Sequence, residues 1–228
     1  MKPKDLKALF SWEERKPYLD GPLFYVPNFF EKHDKALFPG WEDPQIFAAK
    51  QPIYIEYCSG NGDWILKKAM ENPHLNWVAV EYQFERVRKI WAKIKNFNLS
   101  NLFIISGEAM TFTKNYISDA SVEKVFVNFP DPWPKKRHHK HRLMQTSFIE
   151  ELYRILLPNG GITFVTDDSD YLQWTLDLLL KNLRFQSLHP EPYYATNLFN
   201  YGSSYFESLW KEKGKTLHYV EFIKKPSN

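Results

Sequence analysis

Cysteine is nearly absent from the sequence, which has one, Cys58, among 228 residues. Internal disulfide bonds and a zinc site built from several cysteines are therefore excluded, and a single thiol fits a reducing cytoplasm. No apolar run approaches the roughly 20 residues that a membrane-spanning helix needs, and the first residues lack the apolar core of a secretory signal. We therefore expect a cytoplasmic protein without a membrane-embedded segment.

The sequence also lacks a strong net charge, which is only +3 at pH 7. This total does not by itself indicate nucleic-acid binding, so any such interpretation depends on where the charges lie. Hydrophobic residues make up 43% and aromatic residues 17% of the chain, which is typical of a full hydrophobic core rather than of disorder. The length fits one domain with a small extension.

Strand and helix patterns alternate after residue 50. Residues 1–50 are rich in proline, tryptophan and charge, and we expect an irregular N-terminal extension with one short helix, followed by one domain over residues 51–228. Alternation of this kind favours a largely parallel sheet with helices on both faces, whose ligands bind past the carboxyl ends of the strands. We predict strands at residues 53–57, 77–81, 102–106, 122–129, 161–167 and 217–224, and helices that end near residue 70 or span residues 84–97, 142–157 and 169–181.

A turn with two glycines follows the first of these strands, in the stretch EYCSGNGDW. Gly60 and Gly62 let the backbone turn sharply and let a ligand approach without a side chain in the way. The third glycine of a dinucleotide-binding pattern is missing, because Ile65 stands in its place. Glu56 and Asp63 flank the turn, and their charges would repel a phosphate. The turn therefore disfavours a pyrophosphate ligand.

Glu81 ends the second predicted strand, 19 residues after Gly62. A carboxylate at this place can accept hydrogen bonds from ribose hydroxyls. A nucleoside without phosphates fits the glycines and the acids together, and S-adenosylmethionine is such a ligand, with a cationic sulfonium and an amino group that favour acids. Glu108, after the third strand, could accept the adenine amino group. The alternative is purely structural, with a tight turn and with Glu81 and Glu108 as solvated surface acids.

Three prolines surround an acid after the fourth strand, in the stretch NFPDPWP. Proline has a fixed φ and restricts the residue before it, so the turn is stiff and Asp131 projects in a set direction. A rigidly held acid at a strand end, near a cofactor, suits a group-transfer site.

The basic segment, residues 135–142, follows this turn and contains only Lys, Arg and His. Such a run is often a solvated, disordered surface, but a stiff turn and a predicted helix flank this one, so we expect an ordered patch that binds nucleic acid or polyphosphate. Its histidines lie among cations and make a poor metal site, so we expect no metal.

Guanine N7 would suit a site with Asp131 and S-adenosylmethionine as a methyl acceptor. It needs only alignment and an anion, from Asp131 or Asp167, to offset the growing positive charge.

The stretch NFPDPWPKKRHHKHRL resembles the signature of the bacterial tRNA (guanine-N7-)-methyltransferases, and the similarity extends from about Tyr54 to the C-terminus. The resemblance implies a Rossmann-like class I methyltransferase fold, with a seven-stranded, mostly parallel sheet and an antiparallel last hairpin. It also implies methyl transfer from S-adenosylmethionine to N7 of guanine 46 in the variable loop of tRNA.

The family's functional residues fall on definite positions of this sequence. The resemblance implies that Asp131 is catalytic. The expected cofactor contacts are the acids Glu56, Glu81, Glu108 and Asp131, together with the two glycines of the turn, Gly60 and Gly62. The expected substrate contacts are Lys135, Arg137, His138, His139, Lys140, His141, Arg142 and Asp167, and Ser204, Phe206 and Glu207 of a stretch that matches a Thr-x-Tyr-Glu motif.

The sequence departs from the family pattern at several of these places. Cys58 replaces the first glycine of the cofactor turn, Glu108 replaces an aspartate, and Phe206 lacks the hydroxyl of a tyrosine. Two histidines replace charged residues in the basic segment, so we expect RNA binding to strengthen at lower pH.

Two other functions stay open. The Cys58 replacement motivates a non-catalytic RNA-binding protein on a methyltransferase-like fold. A methyltransferase for another RNA position or for a small molecule is the other alternative. We expect tRNA as the partner, and a monomer or weak homodimer that does not bind membranes.

Overall fold

The structure is a computed structural model that describes residues 1–7, 16–28, 30–199, 201–202 and 212–226. The chain forms two compact units, Met1–Ser118 and Asp119–Asn228, which we call the first and the second unit. The predicted boundary near residue 50, between an N-terminal extension and a methyltransferase domain, differs from this division and stays a prediction.

The described residues of the first unit form five strands in the order β1-β2-β5-β4-β3. β1 and β2 are antiparallel, whereas β2, β5, β4 and β3 run parallel to one another. β4 and β5 are buried along their whole length, which requires cover on both faces, as is usual for parallel strands. The elements are β1 (Tyr18–Asp20), β2 (Leu23–Val26), β3 (Ile53–Tyr57), α1 (Asp63–Glu71), β4 (Asn76–Glu81), α2 (Phe84–Phe97), β5 (Leu102–Gly107) and α3 (Ala109–Tyr116).

The N-terminal residues belong to the core of the first unit. The expectation of an irregular extension was wrong for β1 and β2, because Leu23 of β2 pairs in register with Ile104 of β5. Phe38 is buried, and its ring lies 6.4 Å from Phe103 and 6.0 Å from Phe112. Aromatic packing of this kind buries a large apolar area, so this part of the chain stabilises the first unit.

In the second unit, the part of the chain that the structure describes forms four strands in the order β6-β7-β9-β8. β6 and β7 are parallel, and β9 is antiparallel to both β7 and β8. The helices turn apolar faces inward, and α4 buries Phe148, Ile149, Leu152 and Ile155 at helical spacing. The elements are β6 (Val122–Asn128), α4 (Thr146–Ile155), β7 (Leu156–Thr166), α5 (Ser169–Lys181), β8 (Phe185–Ser187) and β9 (His218–Lys224).

Residues 158–160, Pro-Asn-Gly, form a bulge inside β7 rather than a loop after a helix. The pairing shifts from Val122 with Leu156 to Lys124 with Gly161. A Cβ atom at Gly160 would lie 2.8 Å from a backbone oxygen, so glycine is required there. The predicted strand start at residue 161 was therefore wrong, since β7 begins directly where α4 ends.

The predicted fold class is confirmed as a mixed α/β architecture with mostly parallel strands in the first unit and an antiparallel hairpin at the end of the second. The predicted number of seven strands was wrong, because the described residues contain nine. The strands to which the sequence assigned no residues are β1, β2 and β8, which are only three or four residues long. Within the described ranges, every helix is too short or too polar to cross a membrane.

Candidate active site

The glycine turn, residues 58–62, joins β3 to α1 in the first unit. Its backbone enters the left-handed region at Cys58 (φ 63°), Gly60 (φ 56°) and Gly62 (φ 75°). A Cβ atom at Gly62 would also lie 2.6 Å from Cγ1 of Ile90. Glycine is thus required at Gly62 for both conformation and space, whereas Cys58 holds a conformation that glycine adopts more easily.

Glu81 ends β4 and is 5% exposed. Its Oε2 accepts a hydrogen bond from the Gly60 amide and its Oε1 accepts one from the Gln83 amide, both at 2.8 Å. The Arg86 guanidinium lies 3.8 Å from Oε2. An ionised carboxylate has about four acceptor positions, so two backbone bonds leave room for a ligand. Glu81 therefore fixes the glycine turn, in addition to its predicted contact with ribose.

Two lysines of α2 hold the outer side of the glycine turn. Lys93 Nζ donates to the Asn61 carbonyl at 2.7 Å and forms an ion pair with Asp63. Lys89 Nζ donates to Oδ1 of Asn61 at 3.0 Å. The negative charge of Asp63 is therefore compensated by a lysine, and the acids left to act on a ligand are those at the strand ends.

Three acids lie at the carboxyl ends of neighbouring parallel strands. Glu56 in β3 is 2% exposed, and Glu81 is in register with Ser106 of β5. Glu108 follows β5 and caps α3, because its carboxylate accepts hydrogen bonds from the Thr111 amide at 3.2 Å and from the Thr111 hydroxyl. The structure thus brings together the predicted cofactor residues of the first unit at one edge of the strands. Their contact with a cofactor stays a prediction.

This edge of the strands combines the glycine turn, where two residues have no side chain, with the carboxylates at the strand ends. A ligand that carries hydroxyl groups and positive charge is complementary to it, whereas phosphate groups would be repelled.

The proline turn, residues 129–134, follows β6 in the second unit. Two of its residues adopt positive φ, Phe129 at 48° and Trp133 at 47°. Each costs on the order of 1–2 kcal/mol in a residue other than glycine. The Phe129 amide donates to the Val165 carbonyl at 2.9 Å. Asp131 lies between the two strained residues and is exposed.

A short 3₁₀-helix, Lys136–His141, forms most of the basic segment, so the predicted ordered patch is confirmed. The Gln145 side chain donates to the His139 carbonyl at 2.7 Å. The Trp133 ring lies 5.8 Å from the ring of His138 and 5.2 Å from that of His141. His138 and His139 are half-buried, and the exposed members are Lys135, Lys136, Arg137, Lys140 and His141.

Arg142, expected to contact RNA, is 2% exposed. Its Nε donates to the Pro132 carbonyl at 2.8 Å and its Nη2 bonds to Asp170, which lowers the pKa of that carboxyl. The guanidinium lies over the rings of Tyr171 and Trp174, 4.8 and 5.3 Å from their centroids. Burial keeps Arg142 out of the exposed patch, and its bond to Asp170 anchors the basic segment to α5. Its predicted contact with RNA stays a prediction.

Asp167 follows β7 and forms an ion pair with Lys215, with 14% of its side chain exposed. Its predicted contact with the substrate stays a prediction. The remaining expected substrate residues, Ser204, Phe206 and Glu207, lie outside the described residues.

Two roles were not predicted from the sequence. Glu81 fixes the glycine turn through the Gly60 amide, and Arg142 links the basic segment to Asp170 of α5. The partners are 21 residues apart for Glu81 and Gly60, and 28 residues apart for Arg142 and Asp170. No local spacing pattern signals such contacts.

Comparison with known families assigns the class of protein. Residues 50–220 match a family model described as "Putative methyltransferase". Together with the α/β fold and the acidic glycine turn, this match defines the chain as a methyltransferase.

Full-length relatives define the family more closely. A tRNA (guanine-N(7)-)-methyltransferase of Chlamydia muridarum (strain MoPn / Nigg) is 45% identical over 99% of both chains. One of Chlamydia abortus is 47% identical over 99% of both chains. One of Staphylococcus aureus is 32% identical and covers 79% of this chain and 84% of its own length. The chain belongs to the tRNA (guanine-N7-)-methyltransferase family.

Two solved structures with a similar fold are distant from this chain in sequence. The 16S rRNA methyltransferase KamB has a TM-score of 0.59 at 14% identity, and the match covers 92% of this chain and 100% of that one. An antibiotic-related methyltransferase has a TM-score of 0.55 at 16% identity, covering 78% and 88%. At these identities the likeness establishes the fold alone.

Proposed function

We propose that the protein transfers a methyl group from S-adenosylmethionine to N7 of guanine 46 in the variable loop of tRNA. The observation that carries the proposal is the 45% identity, over 99% of both chains, with a protein named tRNA (guanine-N(7)-)-methyltransferase. The position in tRNA follows from the resemblance of the proline turn and the basic segment to the family signature. We further propose that residues 51–228 form the catalytic domain and that the protein acts as a monomer or weak homodimer in the cytoplasm.

The acidic edge of the first unit fits S-adenosylmethionine. When bound, this cofactor supplies a methyl group on a cationic sulfonium. The glycine turn lets a ligand approach the backbone, and Gly62 has no space for even one added carbon beside Ile90. Glu81 would hold the ribose hydroxyls with the acceptor positions that its two backbone bonds leave. Glu56 would favour the positive charge of the ligand, and Glu108 would accept from the adenine amino group.

Asp131 is proposed to be the catalytic residue, whose carboxylate stabilises the transition state of methyl transfer. Guanine N7 has a free lone pair, so its methylation needs no base to remove a proton. Positive charge grows on the ring as the N–C bond forms, and an anion held in place stabilises that charge in the transition state. The stiff proline turn would hold the Asp131 carboxylate for this purpose.

The exposed cations of the basic segment are proposed to bind tRNA phosphates. Lys135, Arg137 and Lys140 are exposed, and each phosphate contact contributes about one unit to the slope of log affinity against log salt. His138, His139 and His141 of the same segment are proposed as further contacts with the tRNA. Asp167, Ser204, Phe206 and Glu207 remain proposed contacts with the guanine or its neighbours.

The test uses two tRNA transcripts that differ only at position 46. The protein is incubated with labelled S-adenosylmethionine and either the guanine transcript or an adenine transcript, and the label is mapped by nucleoside analysis. We expect N7-methylguanosine from the first transcript and no incorporation into the second. Label at another nucleotide would assign another RNA site. Folded protein that binds tRNA but gives no calorimetric signal with S-adenosylmethionine would assign a non-catalytic RNA-binding protein.

A further inference from the structure

Arg142 joins three parts of the second unit. Its Nε donates to the Pro132 carbonyl at 2.8 Å, and its Nη2 bonds to Asp170 in the first turn of α5. Its backbone amide donates to the His139 carbonyl at 3.0 Å. One residue thus connects the proline turn, the end of the basic segment and the start of α5.

The burial of Arg142 excludes a simultaneous phosphate contact. The side chain of Asp170 is 69% exposed, so the ion pair by itself adds little stability. The guanidinium instead packs over Tyr171 and Trp174, and cations over aromatic faces are stabilised most when they are desolvated. Among the described residues, Nη1 of Arg142 is buried and has no hydrogen-bond partner. Even this nitrogen is out of reach of a phosphate group unless the segment opens.

The bond to Pro132 fixes the proline turn at one end. At the other end, the Phe129 amide bonds to Val165 at 2.9 Å and the Asn128 side chain accepts from the Tyr201 hydroxyl. Asp131 directly precedes Pro132, so the direction of its carboxylate depends on both attachments. Without the bond from Arg142, the turn would keep its attachment at Phe129 and its stiff prolines, but the residue directly after Asp131 would lose its anchor.

We infer that Arg142 is a positioning residue for Asp131 and is not a contact for tRNA. The inference rests on the proposed function, because it assigns the residue that holds the proposed catalytic carboxylate. It predicts that loss of Arg142 lowers kcat rather than tRNA affinity.

The test compares Arg142→Met with Lys140→Met, which removes an exposed charge two residues away. Steady-state methylation is measured with saturating S-adenosylmethionine, over a range of tRNA and of salt concentrations. For Arg142→Met we expect kcat to fall about tenfold to a hundredfold, the effect of a misplaced reacting group, with an unchanged salt slope. For Lys140→Met we expect a higher KM for tRNA and a salt slope lower by about one unit, with kcat retained.

A conservative variant separates the two roles further. Arg142→Lys keeps the charge, and lysine is a good partner for phosphate. A lysine ammonium cannot reproduce the planar fork that reaches Pro132 and Asp170 together. We therefore expect Arg142→Lys to have a kcat between those of the wild type and Arg142→Met. Full rescue by lysine would overturn the inference.

A double-mutant cycle tests whether Arg142 acts through Asp131. In the Asp131→Ala background, the loss of Arg142 should reduce single-turnover rates no further. An equal reduction in both backgrounds, or a raised KM with kcat retained in Arg142→Met, would overturn the inference. If circular dichroism shows Arg142→Met to be unfolded, Arg142→Lys takes its place in the cycle with the same criteria. Failure of the proposed function is distinguishable, because the wild-type protein would then methylate no tRNA.

Discussion

Replacement of Gly62 by alanine tests how tightly the glycine turn is packed. The backbone of Gly62 has a φ of +75°, and a Cβ atom added there would lie 2.6 Å from Cγ1 and 3.3 Å from Cβ of Ile90. Ile90 is fully buried, so its side chain cannot move into solvent. We expect Gly62→Ala to destabilise the protein through both backbone strain and overpacking.

The expected loss can be worked out from separate contributions. A left-handed conformation costs about 1–2 kcal/mol in alanine, and the lower entropy of the unfolded alanine chain offsets about 0.5–1 kcal/mol of this. Overpacking of a buried site adds about 1–3 kcal/mol. The free energy of unfolding should therefore fall by roughly 3 kcal/mol, of which roughly 2 kcal/mol comes from the contact with Ile90.

Urea unfolding followed by tryptophan fluorescence measures this loss, since Trp64 and Trp77 of the first unit are buried. The matched control is Gly21→Ala, because Gly21 has a φ of +51° and a Cβ atom there would meet nothing within 4 Å. This control carries the backbone strain without the overpacking, so we expect it to lose roughly 1 kcal/mol.

A second replacement tests the contact directly. Ile90→Ala removes the nearest carbon, so Gly62→Ala should be less harmful in that background, with a coupling energy of about 1–3 kcal/mol. Equal losses for Gly62→Ala and Gly21→Ala, or strictly additive effects of the Gly62 and Ile90 replacements, would refute the reasoning.

Four further replacements test other parts of the molecule. Glu81→Gln turns one acceptor of backbone bonds into a donor, so unfolding by urea should show a loss of about 2–3 kcal/mol; unchanged stability would contradict the hold on Gly60. Cys58→Gly relieves a left-handed residue, and its unfolding free energy should rise by about 0.5–1 kcal/mol; a fall would show that the thiol makes a stronger contact. Asp131→Ala should lose most of its turnover at an unchanged Tm, because the residue is exposed in a turn, and an active variant would remove its catalytic role. Lys135→Ala should raise the KM for tRNA without changing the Kd for S-adenosylmethionine, and unaltered tRNA kinetics would count against a phosphate contact.

Elements with a strong local pattern were predicted well. β3 at Ile53–Tyr57, α2 at Phe84–Phe97 and α5 at Ser169–Lys181 have the bounds that the sequence indicates. In each case the buried residues follow one another or recur at helical spacing, so the pattern lies within the element itself.

Elements that depend on distant partners were missed. β2 has four residues and pairs with β5, about eighty positions later in the chain. The sequence predicted a helix that begins near Arg142, whereas α4 begins at Thr146 and Arg142 is buried. The aromatic residues that bury it, Tyr171 and Trp174, lie in another helix. Glu108 was predicted as a ligand residue or a solvated surface acid, although its spacing from Thr111 also suits a helix cap.

The candidate site was predicted in part. The strand-end position of Glu56, Glu81 and Glu108 follows from the alternation of strands and helices, since parallel strands bring their carboxyl ends to one edge. The left-handed backbone at Cys58, Phe129 and Trp133 did not follow from the sequence. Residues other than glycine rarely adopt this conformation, and only the surrounding structure imposes it.

The dual use of Glu81 affects how substitutions at this position can be interpreted. Its carboxylate holds the backbone of the glycine turn and is also a candidate ligand group, so any variant would alter the turn itself as well as a contact with the ligand. A weaker affinity in such a variant would not by itself reveal a direct bond. A direct bond to the ribose is better tested by changing the ligand. The affinities of the unaltered protein for adenosine and for its 2′-deoxy and 3′-deoxy forms would be compared.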